Sequence, residues 1–378
     1  MIYQIFPKQD STVYEKKDDL NSGLDSLLEI NKLLEGIADQ NNIVTNESYS
    51  SRILMKFDYS DLNPLIEAGY NTSSVDNKYY LKMYATQEKQ LPSSFTLEVN
   101  SISGSWNMGL GRYDYSPYIT EGVSWLYRFD KEEGTQWSTG SFGTTGATGS
   151  WNVNPGGCTW YTSSNYTVTK SFNFNESIDP YIDITKIVNA HLSSSIVNDG
   201  ILIRRPTIEE NSITDEMQLA FFSSDTNTIY LPSLHVKWND WSFNTGSLSP
   251  LTDTTENVIA FRNLRNTYYT NDRVKFRLSG RPKYPIKTFA TGSAYSYQYY
   301  LPASSSYEIE DLHTKDIVIP HDDIYTRISC DSTSNFFNFW MNGLQPERWY
   351  KLNIKCKFNS NDIRIYNHNF IFKVERGV

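Results

Sequence analysis

The side chains able to do chemistry are scattered along this sequence, and the scatter is its first functional signal. His191, His235, His313, His321 and His368 stand far apart, without the spacing by which a zinc protease or zinc finger gathers its ligands. No Gly-x-Ser-x-Gly elbow exposes a serine, and the glycine-rich run lacks the Gly-Lys-Ser/Thr ending that cradles phosphates. Carboxylates are plentiful, as at Glu209-Glu210 and Asp322-Asp323, and glycoside hydrolysis needs only two of them facing each other in a cleft. Abundant carboxylates are ordinarily solvated charge, so the expectation is a chain with no catalytic residue. Loops of β-sandwiches often hold calcium, but Asp114, Asp130 and Asp225 are dispersed and lack the spacing of a calcium loop. The reading is therefore no metal and no cofactor.

Aromatic residues are the stronger candidates. Between 103 and 166 the chain turns rich in Gly, Ser, Thr and Asn and carries five of its nine tryptophans, Trp106, Trp125, Trp137, Trp151 and Trp160. With Tyr113, Tyr115, Tyr127 and Tyr161 they offer flat apolar faces with polar tips. Such faces pack beneath long loops, anchor a protein interface or stack on sugar rings, and residue type alone does not separate the three. Trp137 and Trp151 flank the glycine run and are the first interface candidates; Trp106, Trp125 and Trp160 are the first for sugar stacking. Gly140, Gly143, Gly146 and Gly149 recur every third residue without intervening proline, which reads as an extended loop and not a collagen helix.

The elements that must position these residues read as strands. With 378 residues, the chain has room for two domains that each bury a core. Lys plus Arg is 34 against 43 for Asp plus Glu, and the net charge of -9 opposes binding to a phosphate backbone. No stretch approaches the roughly 18 apolar residues of a membrane helix, and the first residues lack a signal-peptide pattern. Cys158, Cys330 and Cys356 leave one thiol unpaired in any monomeric scheme, which fits synthesis in a reducing compartment.

The clearest architectural signal is 183–204. Asp183 is placed to cap a short helix whose Ile184, Ile187, Val188 and Leu192 share one face. Asn198-Asp199-Gly200 then forms a turn into Ile201-Leu202-Ile203, a continuous apolar run typical of a strand covered on both sides. Further strands are expected at 11–15, 51–58, 79–85, 95–102, 219–223 and 234–238, with a helical turn near Pro64. Periodicity allows either helix or strand after Leu24, and strand is the reading adopted. The polar stretch 241–257, with Pro250, reads as a linker, and eight or nine short strands after 258 suggest a second sandwich.

Several segments resemble one known family. SRILMKFDYSDL from Ser51, YLKMYAT from Tyr80, LEVNSISGSWNMG from Leu97, the 183–203 helix and strand, and LAFFSSDTNTIYLPSLHVKW from Leu219 follow in order the pattern of DNRLRE-type domains. The resemblance covers about 1–240 and implies a jelly-roll β-sandwich similar to carbohydrate-binding modules. Phe221-Phe222-Ser223-Ser224-Asp225 departs from it, standing where the family ends in Arg-Glu. The aromatic insertion, together with YEIEDLHTKDIVIPHDDIYTRISCDS and NGLQPERWYKLNIK, resembles virion structural proteins of tailed phages, especially contractile-tailed cyanophages. The latter half resembles Ig-like domains.

The expected fold is all-β: a jelly-roll sandwich at 1–240 with its insertion at about 103–166, a linker at 241–257, and a smaller Ig-like sandwich at 258–378, with one or two short helices. The resemblance implies a non-enzymatic virion protein of the tail, baseplate or neck, assembled in the host cytoplasm in several copies. Its implied partners are other tail, baseplate or neck proteins and, as the alternative, a host-surface glycan, with no nucleic acid and no membrane.

Overall fold

In the computed structural model the protein is an all-β sandwich protein with only short helices. The structure describes residues 1–38, 44–137, 145–147, 156–173, 175–253, 256–286 and 297–377, with 37–38, 44–46 and 145–147 described by backbone alone. The chain divides into two compact units, one of Ile5–His235 and one that joins Met1–Gln4 to Val236–Val378.

In the larger unit a single long strand, Val44–Phe57, joins the two halves of one eight-stranded sheet. Its first half pairs with Leu27–Ala38, from Ala38↔Val44 to Lys32↔Ser50, and its second half runs between Pro7–Tyr14 and Ile201–Arg204. The outer strands on the latter side are Ser94–Ser101 and Thr167–Asn173, and on the former Met217–Phe222 and Ala85–Lys89. A separate sheet pairs Lys78–Lys82 with Tyr181–Asp183. The segment after Leu24 is thus a strand, and its alternation puts Leu28, Ile30 and Lys32 on the covered face.

The 183–204 segment folds as its residues suggest. Asp183 Oδ1 accepts from Thr185 N at 2.9 Å, the helix Thr185–Leu192 buries Ile187 and Val188, and Gly200 has φ +105. Gly200 leads into Ile201–Arg204, central in its sheet and buried throughout. Among the elements that the sequence reading does not anticipate are the strands Ile2–Ile5, Ala85–Lys89, Thr167–Asn173 and Tyr181–Asp183 and the helix Thr207–Glu210.

The other unit packs two six-stranded sheets. One contains Arg273–Pro282 beside Asn335–Trp340, the other Ser306–Asp311 beside Arg348–Lys357. An aromatic core lies between them, with Tyr307 stacked on Phe337 at 4.0 Å and Phe276 near both Phe337 and Phe372. The stretch 241–257 is not a free linker but part of this unit. Trp241 Nε1 donates to Ile328 O, Arg327 stacks 3.8 Å from the Trp241 ring centroid, and Ser249–Pro250 pairs with Tyr299–Tyr300. The first residues also belong to it: Trp238 N donates to Met1 O, and the Met1 amine to Asp240 Oδ1 at 3.0 Å. Long-range pairing joins stretches that composition alone separated.

Candidate functional site

The tryptophans of the insertion are core residues. Trp106, Trp125, Trp137 and Trp160 are 4%, 0%, 2% and 6% exposed, so their faces are not available for a partner or a sugar. They cluster with Val13, Leu54 and Leu202, which three neighbouring strands project from one side of the sheet. Trp106 Nε1 donates to Asp199 O at 2.8 Å and Trp137 Nε1 to Ser124 O at 3.1 Å, which satisfies the polar edges of these two indoles, whereas Trp125 Nε1 is buried without a hydrogen-bond partner among the described residues. The insertion is a lid that gives this sheet face its second layer. Trp151, and Gly140, Gly143 and Gly149 of the glycine run, lie outside the described residues.

A buried ion network lies under the lid. Arg52 donates to Glu210 through Nε at 2.9 Å and Nη2 at 2.5 Å, and through Nη1 to Gly157 O at 2.9 Å. Arg204 reaches Glu210 at 3.2 Å and Glu98 at 2.8 Å. Arg52 lies 4.9 Å from the Trp125 ring centroid, and Arg204 4.5 Å from that of Trp160. Glu210, an unremarkable surface acid by sequence, is 3% exposed, because Thr207–Glu210 folds back over the sheet.

What the insertion does expose is a tyrosine loop fixed from below by Asn21. This side chain is fully buried; its amide donates to Met108 O at 2.7 Å and Val123 O at 2.8 Å, and its oxygen accepts from Gly111 N at 2.7 Å. Gly109 has φ +76, and a Cβ there would lie 2.4 Å from Glu121 O and 2.5 Å from Asn21 Oδ1. A Cβ on Gly111 would lie 2.3 Å from Asn21 O. Glycine is required where the backbone closes on the asparagine this tightly. The pinned loop presents Leu110, Tyr113, Tyr115 and Tyr118, which are 38–61% exposed.

Beside this loop is a depression of about 440 Å³ whose lining includes Tyr14, Asp25, Glu29, Asn31, Tyr113 and Asp114. The Tyr14 and Tyr113 rings meet at 4.8 Å, and Lys17 Nζ stands 3.5 Å from the Tyr113 centroid. Both Asp25 oxygens accept from Tyr113 N at 3.2 Å, and Glu29 Oε2 accepts from Tyr14 Oη at 2.8 Å. Burial, then the nearby Glu29 and Asp114 carboxylates, push the Asp25 carboxyl up to about 6 against the pull of Tyr113 N–H and Arg112. Aromatic rims and carboxylate acceptors suit a polyhydroxylated ligand, whose ring faces are apolar and whose hydroxyls donate. Of the residues proposed from sequence, Tyr113 is at this site and the described tryptophans are not. The signal for the rest was the cluster Asn21, Gly23, Gly109 and Gly111, legible only once the two segments meet.

A second constellation has the outline of an activated nucleophile. Ser101 Oγ lies 2.7 Å from His191 Nε2, and His191 Nδ1 lies 3.0 Å from Tyr59 Oη. Ser101 is fully buried in a strand, and burial lowers His191 to about 4, so the imidazole is neutral at pH 7 and a weak base. The chain of hydrogen bonds ties the helix Thr185–Leu192 to its sheet. Among the described residues no group of three or more His, Cys, Asp or Glu side chains is placed to hold a metal ion. Comparison with protein-family models, with curated proteins and with solved structures returns no match to this chain.

Proposed function

We propose that this protein is a non-enzymatic structural component of a tailed-phage particle, in its tail, baseplate or neck, that docks on neighbouring subunits. The observation that carries the reading is the tyrosine loop: Leu110, Tyr113, Tyr115 and Tyr118 project from a backbone already locked by Asn21. Tyrosines on a fixed loop lose little conformational entropy on contact, which makes them effective interface anchors. The resemblance of the aromatic insertion and of the second-half motifs to phage virion proteins supports the setting. Immunogold labelling of purified particles with antibody to this chain is the test. Label confined to one part of the tail, neck or baseplate is expected; unlabelled particles beside abundant free protein in the lysate refute the reading.

The depression at Asp25 and Glu29 favours a second reading, recognition of a host-surface glycan. It predicts saturable binding across a glycan panel that Tyr113→Ala abolishes while thermal stability changes little. No binding to any glycan counts against it. Hydrolysis of a bound glycan that Asp25→Asn stops would replace both readings with an enzymatic one.

A further inference from the structure

The sheet beside the tyrosine loop continues the depression at Asp25 and Glu29 into a trough. On the strand Leu27–Ala38, Leu27, Glu29 and Asn31 lie on the face opposite Leu28, Ile30 and Lys32. Across that face Asn31 pairs with Gln218 and Gln218 with Lys89, while Glu29 pairs with Ala220 and Ala220 with Gln87. Three strands thus set up two rungs of side chains. Ala220, 5% exposed, stands between the longer Glu29 and Gln87 and forms a floor between taller walls. A shallower depression whose lining includes Gln87, Lys89 and Ala220 shares Glu29, Asn31 and Gln218 with the 440 Å³ depression beside Tyr113. The two therefore run into each other.

Hydrogen bonds set part of this lining in place. Glu29 Oε2 accepts from Tyr14 Oη at 2.8 Å and from Asn31 Nδ2 at 3.2 Å, and the Tyr14 ring meets that of Tyr113 at 4.8 Å. One end offers aromatic faces, and the rest offers the carboxamides of Asn31, Gln87 and Gln218, each both donor and acceptor, as a sugar hydroxyl is. Neighbouring strands stand about 4.8 Å apart, close to the advance of one pyranose unit along an extended glycan. A chain laid across the strands meets a new polar side chain at each unit, for roughly three or four units between Tyr113 and Gln87. Asp25, Glu29, Glu88 and Asp114 line the two depressions against Lys89, and the nearby Lys17 and Arg112 are seated over the rings of Tyr113 and Tyr115 at 3.5 and 6.0 Å. Such a lining repels an acidic sugar.

We propose that the trough binds an extended, uncharged hexose chain of roughly three or more units, one end held at Tyr113 and the rest crossing the strands Leu27–Ala38, Met217–Phe222 and Ala85–Lys89. It discriminates against glycans that carry uronate or sialate carboxylates. The inference rests on the glycan reading of the depression and adds the ligand's length, direction and charge.

The test is titration calorimetry of the full chain with neutral gluco-, manno- and galacto-oligosaccharides from monomer to hexamer, beside oligogalacturonates of the same lengths. Affinity for at least one neutral series should rise roughly tenfold or more from dimer to tetramer, and the matching galacturonate should bind at least about tenfold more weakly. Gln218→Ala should weaken tetramer binding about tenfold through lost hydrogen bonds, and leave dimer binding and the thermal midpoint unchanged. Gln87→Ala, at an exposed position of the edge strand, should do the same and keeps the test open if Gln218→Ala does not fold. Affinity that stops growing at the monomer, galacturonates that bind as tightly, or a tetramer indifferent to both variants overturns the trough and leaves the glycan reading standing. No binding to any of the three neutral series also overturns it; no binding to any glycan overturns the glycan reading as well.

Discussion

Replacing Glu210 with Gln should unseat the insertion without touching any residue of the insertion itself. The carboxylate is 3% exposed and accepts three hydrogen bonds, two from Arg52 and one from Arg204. Arg204 retains Glu98, whereas Arg52 retains only the carbonyl of Gly157 and the faces of Trp125 and Trp160. A buried guanidinium left without its counter-charge costs about 3–5 kcal/mol. Because Gly157 and Trp125 both belong to the insertion, the cost should fall on the docking of that lid. The assay is urea unfolding read by tryptophan fluorescence, since Trp125 and Trp160 flank the lost pair. The loss should be nearly the same at low and high ionic strength, because the pair is shielded from mobile ions. A destabilisation under about 1 kcal/mol, or one that salt abolishes, would refute the claim that this network holds the insertion down.

Other perturbations follow from the same packing. Gly109→Ala forces a side chain into φ +76 and against Glu121 O and Asn21, so it should cost roughly 1–3 kcal/mol and open 107–123 to limited proteolysis; an uncut loop would contradict the Asn21 socket. His191 is held at about 4 by burial against 6.5 in the unfolded chain. The unfolded state therefore takes up this proton first, and about 3 kcal/mol of stability should be lost as pH falls from about 6.5 to 4. His191→Gln should lack that component, and equal slopes for variant and wild type would count against it. Asp10 has the opposite sign: burial raises its carboxyl from 3.8 to about 6, so its charge penalises the folded state fully only above that pH. Measured against Asp10→Asn, the wild type should gain about 3 kcal/mol between pH 6 and 4, and a constant difference over that range would show that Asp10 titrates normally.

Local sequence determined whatever depends on neighbours along the chain. Asp183, the apolar face of the helix after it, Gly200 and Ile201-Leu202-Ile203 specify a local turn at the helix start, a helix, a turn and a buried strand, because side-chain turn bonds, periodicity and positive φ are properties of a few consecutive residues; the helix's N-cap itself is Ile184, without a side-chain capping bond. The sandwich class follows from the spacing of short β-branched and aromatic runs. Tertiary structure alone decided which aromatics are inside. Trp106, Trp125, Trp137 and Trp160 share the composition of an exposed loop, yet Val13, Leu54 and Leu202 offer them an apolar sheet face from strands distant in sequence. It also turned Glu210 and Lys32 from ordinary surface charges into buried ones, since a helix fold-back and a strand register govern their exposure. Asn21 meets Met108, Gly111 and Val123 across about ninety to a hundred residues, and no local rule encodes such a meeting. Burial and hydrogen-bond satisfaction are set by the whole chain's packing, so the identity of the exposed site appears only when the chain has closed on itself.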